Sequence, residues 1–262
     1  MNTIDKLSYA SKIANVSAGE KLFFSMLPLL FCLISSSYVL HSTVFIVMSI
    51  FSINYSALNF KRYFKLLLVP STFIILGLIS IIFNVGANDT KDVICSFRLA
   101  SVNLCITYIG ISTALNIFLR SLASISCFYF LILNTPMNNL LSYLQQKKVS
   151  SLLLTLTELI YRFSFVLYGQ YERIRTAQLS RLGYLSFKNG IKSVAEILAM
   201  TFESSIIKVN SIDNMLNSRC FDGSFAMITD PEMRTDVLKM KGIIINAFLL
   251  MILLLEVYFK WK

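Results

Sequence analysis

Two arginines stand directly after a serine in a chain that carries few charges. They are Ser180-Arg181-Leu182, within YERIRTAQLSRLGY (171–184), and Ser218-Arg219-Cys220, within NMLNSRCFDG (214–223). On a helix, Ala177, Arg181 and Tyr184 share a face with Ser180, and Met215, Arg219 and Asp222 do so with Ser218. Gly183 and Gly223 follow closely and mark the expected helix ends. A small residue beside an arginine at such an end lets a foreign backbone come close. The planar guanidinium can then bond carboxylates or carbonyls on that partner. Taken singly, each site reads as a solvated helix end whose cation complements the helix dipole. Two similar ends in one chain suit a partner built of two similar subunits.

Other chemistry is sparse. The sequence has no GxxxxGK[ST] loop to cradle phosphates; its nearest look-alike, AGEKL at 18–22, lacks both the glycine spacing and the hydroxyl residue. The single histidine, His41, is expected at a solvated outer turn, with no partner for nucleophilic catalysis. No cluster of His, Cys and carboxylate has usable ligand spacing, so no metal or cofactor is expected. Cys32, Cys95, Cys105, Cys127 and Cys220 form no CxxC pair and imply no disulfide framework. Arg120 and Glu256 fall inside apolar runs, where charges commonly mark ion or proton paths. Here Arg120 is expected to pair with a carboxylate or hold two helices together, and Glu256 to snorkel from the end of the last span.

The elements that must carry these residues are greasy. Of 262 residues, 56% are hydrophobic and 15% charged, against about 25% charged in soluble domains. That balance implies an all-α polytopic membrane protein. The net charge of +10 fits cytoplasmic loops better than nucleic acid, because the basic residues are spread between apolar runs. The opening segment is too polar and too mixed in charge for a signal peptide.

A first span is expected at Leu22–Leu40, with Pro28 inside it, and a second at Thr43–Leu58, joined by a tight break at HST (41–43). The cluster Lys61, Arg62 and Lys65, and Lys6, Lys12 and Lys21 before the first span, put both segments and the N-terminus on the cytoplasmic side. Leu66–Val85 is a third span, followed by the outer loop GANDTKD. Leu99–Leu133 is expected as one long tilted helix, or a tight pair of spans, ended by Thr135-Pro136. Residues 150–169 approach the length of a span. Glu158 and Arg162 lie in their middle, where each charge costs about 2.5–3.5 kcal/mol on an insertion scale. A crossing here would also carry Arg173, Arg175 and Arg181 outside, so the segment is assigned to the cytoplasmic side. From Lys192 to Leu216, Ala195, Leu198, Phe202, Ile206, Val209, Ile212 and Leu216 form an apolar stripe opposite Glu196, Glu203 and Asp213. Gly242–Phe259 is the last span. The expected organisation is N-terminal transmembrane helices over 1–137, a cytoplasmic insert of long amphipathic helices over 138–240 and a C-terminal transmembrane helix over 241–262, with about five spans.

Four stretches in this order resemble a known family: IDKLSYASKIANVSAGEKL (4–22), LRSLASISCFYFLILNTPM (119–137), LIYRFSFVLYGQYERIRTAQLSRLGY (159–184) and NMLNSRCFDG (214–223). The chain is similar to the transmembrane T component of energy-coupling factor transporters, in the CbiQ-type branch for cobalt or nickel uptake. That family carries two Ala-Arg-Gly-like triplets on cytoplasmic coupling helices. Here Ser180-Arg181-Leu182 and Ser218-Arg219-Cys220 match the arginines and depart at the flanks. A proline common in the family is absent near KKVSS. The resemblance implies a non-catalytic scaffold in the prokaryotic cell membrane, with its N-terminus in the cytoplasm. It would join two ABC ATPase subunits to a substrate-capturing integral membrane subunit, with Arg181 and Arg219 as the docking contacts. Cobalt is the first implied cargo, with nickel or a vitamin as alternatives. A membrane-embedded enzyme is the reading from a different class; it would need a convergent polar constellation.

Overall fold

Runs of leucine, isoleucine and phenylalanine long enough to form membrane helices dominate the chain, and the structure, a computed structural model, follows them. It describes residues 3–85, 93–99, 102–220 and 239–261. The chain divides into two compact units, one of Thr3–Leu140 with Asp230–Lys262, the other of Leu141–Thr229 with Met1–Asn2.

The first unit begins with the short helix α1 (Thr3–Tyr9), then α2 (Ala18–Ile34), α3 (Tyr38–Tyr55) and α4 (Phe60–Ile82). A small antiparallel sheet follows, made of β1 (Phe83–Val85), β2 (Val93–Leu99) and β3 (Val102–Thr107) in the order β1-β3-β2. Then come α5 (Tyr108–Asn134), the start of α6 (Met137–Gln146) and the last helix, which is numbered α9 (Lys239–Trp261). Among the described residues, α3, α4 and α5 are each long and apolar enough to cross a membrane. With the sheet as its only non-helical element among the described residues, the architecture is that of an all-α integral membrane protein.

Three expectations change here. The break between the first two spans falls at Ser35–Ser37, not at HST: three consecutive serines with extended backbone at Ser35 and Ser37 end one helix and start the next. His41 consequently lies inside α3 and is fully buried, not solvated. The stretch from Leu99 is not helical to its start. Val93–Leu99 and Val102–Thr107, rich in β-branched residues, pair as strands. The helix begins at Tyr108, where the Thr107 hydroxyl accepts from the amide of Gly110. From there a single helix runs past Arg120 to Asn134, and the expected end at Thr135-Pro136 holds. GANDTKD (86–92) lies outside the described residues.

α5 is the centre of this unit and packs on α3, α2, α4 and α1, while α9 packs on α2 and α3. Small residues make the close approach possible: Gly110, Ala114, Ala123, Ser126 and Cys127 are the buried positions along much of α5. α3 offers Leu40, Val44, Met48 and Ser52, one residue per turn on one face. Between the helices, the Phe24 ring lies 4.8 Å from Phe130 and 5.2 Å from Phe51. A Cβ at Gly242 would come within 3.2 Å of Phe24, so the glycine lets α9 close on α2. The outer faces are apolar as well. On α4, Phe64, Val69, Phe73 and Leu76 are exposed, a surface that suits lipid and not water.

One end of this bundle is closed by buried polar groups. Lys21, fully buried, donates from Nζ to the carbonyls of Asn134 at 2.9 Å and Ala14 at 3.2 Å. The Ser11 hydroxyl contacts Asn134 Oδ1 at 2.7 Å and the Tyr55 carbonyl at 2.9 Å, and Asn139 donates to Ala14. Lys21, counted in the sequence among the charges that set topology, is therefore also a structural tie. Lys61, Arg62 and Lys65 are exposed in the first turns of α4.

The second unit is dominated by two long helices, α7 (Ser151–Ser180) and α8 (Phe187–Asn217). They run antiparallel: Gln178 meets Glu196 at 2.8 Å near one end, and near the other Leu156–Leu167 face Val209–Leu216 across an apolar groove of about 450 Å³. The segment 150–169 is the first part of α7. Its Glu158 and Arg162 pair at 3.2 Å, as their spacing predicts. By length and composition α7, too, would suffice for a crossing.

Candidate functional site

The six residues singled out by their types lie at the C-terminal ends of α7 and α8. Arg181 is the C-cap of α7. The amide of Leu182 donates to Leu179 and that of Gly183 to Gln178, the paired bonds of a Schellman motif. The left-handed residue is Leu182, with φ 58°, so Gly183 does not supply the helix-ending conformation as its position suggested. The glycine serves a close approach. A Cβ at position 183 would stand 2.5 Å from Ser193 Oγ, and that hydroxyl donates to the Gly183 carbonyl at 2.9 Å. Position 183 is thus pressed against the second turn of α8.

The second triplet shares the left-handed third residue, Cys220 with φ 52°, but the cap falls one residue earlier: Ser218 caps α8, and the amides of Arg219 and Cys220 donate to Leu216 and Asn217. In both triplets the serine hydroxyl bonds back four residues, Ser180 to the Thr176 carbonyl at 3.1 Å and Ser218 to the Asn214 carbonyl at 2.7 Å. Each serine is thereby spent on its own helix, and the arginine beside it projects from a fixed end. Both arginines are exposed. Neither forms an ion pair among the described residues. Leu182 and Cys220 thus hold a conformation that glycine adopts without steric cost, φ near +57°.

The structure does not bring the two ends together. Gly183 lies against Ser193, so the first end sits near the start of α8, and the second follows its last residue. At 1.5 Å per residue they stand roughly 40 Å apart. Beside the first end, Tyr184, Leu185, Phe187, Ile191 and Val194 line a shallow apolar hollow of about 560 Å³. Phe187 is 87% exposed and Leu185 73%. Tyr184 lies in the turn after α7, off the helical face on which it was expected with Arg181. Asp222 and Gly223 lie outside the described residues.

The apolar stripe of α8 is divided. Ile212 and Leu216 line the groove against α7, whereas Leu198, Phe202 and Ile206 are exposed. The buried anchors are Ser193 and Ile197, which a purely hydrophobic pattern misses in part because one of them is a serine.

Arg120 and Glu256, the two charges noted inside apolar runs, both bond within the protein. Arg120 Nη2 donates to the carbonyl of Leu33 in the last turn of α2, so it holds two helices together as expected. Glu256 does not snorkel; its carboxylate accepts from the Ser35 hydroxyl. A polar face on α5, Ser112-x3-Asn116-x3-Arg120, was the signal for this arrangement. Among the described residues no group of three or more His, Cys, Asp or Glu is placed to hold a metal ion.

Comparison with known proteins agrees with this architecture. The chain is 28% identical over 86% of its length to the cobalt transport protein CbiQ of Salmonella typhimurium, covering 99% of that protein. It is 29% identical over 95% of its length to a fused cobalt transport protein CbiMQ of Methanocorpusculum labreanum, of which it spans 41%. An uncharacterized protein of Methanocaldococcus jannaschii is 28% identical over 88% of the chain and 85% of its own length. The family model for CbiQ, cobalt transport protein, matches residues 10–229. This chain, a multi-pass membrane component of cobalt transport, belongs to the CbiQ family.

Proposed function

We propose that the chain is the transmembrane coupling subunit of an energy-coupling factor importer for cobalt ions. Two ABC ATPase subunits hydrolyse ATP at the cytoplasmic face. Each grips one arginine-bearing helix end, Ser180-Arg181-Leu182 or Ser218-Arg219-Cys220. Closure of the ATPase pair displaces α7 and α8, and the motion passes to a second integral membrane subunit that captures the metal. In this reading the N-terminus and the region 138–240 are cytoplasmic.

The observation that carries it is the repeated geometry. Two exposed arginines follow back-bonded serines and precede left-handed residues, at ends roughly 40 Å apart. One interface does not need the same device twice, whereas a pair of like subunits does. A relative in which a segment similar to this chain fills only part of a longer cobalt transport protein supports the second membrane subunit.

The test is uptake of radiolabelled cobalt by cells holding this chain with its neighbouring subunits. Arg181→Ala with Arg219→Ala is expected to abolish uptake and co-purification with the ATPase. Truncating a desolvated interfacial charge costs roughly 2–5 kcal/mol. Uptake retained in the double variant overturns the proposal.

A further inference from the structure

The turn between α2 and α3 is held by four separate polar contacts from elsewhere in its unit. The Asn116 amide donates to the Ser36 carbonyl at 2.7 Å, and the Tyr38 hydroxyl to the Ser112 carbonyl at 2.9 Å. Arg120 donates to Leu33, and Ser35 donates to Glu256. Residues 112, 116 and 120 repeat every four positions and span one face of α5 over roughly 12 Å. The turn meets this middle stretch of the helix, not its N-terminal end at Tyr108. Meanwhile the carbonyls of Ile81 and Ile82, at the end of α4, come close to Gly110. α4 and α5 therefore continue past the contact at Ser112 by up to about one helical turn.

The turn is irregular backbone within a bundle of apolar helices. Such backbone persists in an apolar setting only when protein or a polar cavity satisfies it. The last carbonyls of α2 lack intrahelical partners, and Arg120 supplies one to Leu33. The buried hydroxyl of Ser35 spends its proton on Glu256 and accepts from the amide of Ser37. His41, in the first turn of α3, is fully buried as well.

We propose that Arg120 and Glu256 are positioning residues for transport, a latch that pins the α2–α3 turn to α5 on one side and to α9 on the other. α9 is the helix entered from the α7–α8 region along the chain. Glu256 lies near its far end, so a displacement of α9 is delivered to the turn and through Arg120 to α5.

Hydrogen bonding, not charge or volume, carries this role, and the variants separate the three. Glu256→Gln keeps an acceptor for the Ser35 hydroxyl and is expected to retain cobalt uptake within roughly twofold. Glu256→Leu and Arg120→Met are expected to lower uptake roughly tenfold or more while the chain stays in the membrane with the ATPase bound. Ser35→Ala should lower uptake at least as far, since it also loses the Ser37 amide, and Glu256→Leu added to it should cost nothing further. Unchanged uptake in Glu256→Leu, or equal damage from Glu256→Gln, overturns the latch. Paired spin labels at Ser36→Cys and Leu254→Cys, in a chain whose five native cysteines are replaced by alanine, give an answer should the core variants not assemble. The latch requires one narrow separation with and without nucleotide, and a broad or nucleotide-dependent one overturns it. Loss of ATPase co-purification would instead count against the coupling reading, so the two failures are distinguishable.

Discussion

Lys21 and Asn134 lie 113 positions apart in the chain and meet at 2.9 Å, the ammonium of one on the main-chain carbonyl of the other. Each comes from one of the stretches that carry the family resemblance, the opening IDKLSYASKIANVSAGEKL and the later LRSLASISCFYFLILNTPM. The contact joins the start of α2 to the end of α5 and also captures the Ala14 carbonyl. In a membrane bundle, apolar burial gives helices little reason to prefer each other over lipid, so such directed bonds fix their arrangement.

Lys21→Met keeps the length of the side chain and removes its donors, leaving the Asn134 carbonyl short of a partner while Ala14 keeps Asn139. The expected cost is about 1–3 kcal/mol. A lowered unfolding midpoint in detergent is the readout, with cobalt uptake falling only as far as protein abundance falls.

Gly183→Ala puts a methyl group where Ser193 Oγ already stands, 2.5 Å from the built Cβ, with the Gln178 carbonyl at 3.0 Å. Overpacking of this kind costs about 1–3 kcal/mol. Ser193→Ala in the same chain removes the nearer clash and should recover part of the loss. Protease resistance of the turn between α7 and α8 would report both changes.

Leu182→Gly and Cys220→Gly should each stabilise a helix end. A side chain in the left-handed region costs about 1–2 kcal/mol, and glycine returns part of that gain as lost chain entropy, leaving about 0.5–1 kcal/mol. Slower amide exchange in the last turns of α7 and α8 is the expected observation.

Arg181→Ala and Arg219→Ala tested singly should each weaken the ATPase complex while leaving it detectable. Two tethered contacts reinforce each other through effective concentration, so the double variant should lose far more than either alone. Pull-down at increasing salt measures this, since exposed charge contacts fade as ions screen them.

Much of this architecture was legible in the residue pattern. Hydropathy marks the helices because each must satisfy its backbone internally in lipid, and Thr135-Pro136 ends α5 as proline geometry requires. The two serine–arginine ends were visible from their types alone. Other features turn on contacts between distant segments. The serine run at Ser35–Ser37 is a weak local signal beside HST, and the break falls there because Asn116 and Arg120 from α5 stabilise it. His41 looked solvated for the same reason. The β-hairpin before α5 was hidden by composition: VICSFRL and VNLCIT are as apolar as a membrane helix, and only their β-branched content separates them. Gly183 was read as a helix terminator when the constraint on it comes from Ser193 on the next helix.

In the coupling proposed above, α8 would act as a gauge: its length from Ser193 to Ser218 sets the roughly 40 Å between the two helix ends, and the receiving subunits would have to offer sockets at that spacing. A change in the helix's length would be felt as a mismatch even with every contacting side chain intact. Removing four residues from its middle would shorten the reach by roughly 6 Å and swing the second arginine around the axis by a small angle. Simultaneous engagement would then fail while each end remained able to bind alone.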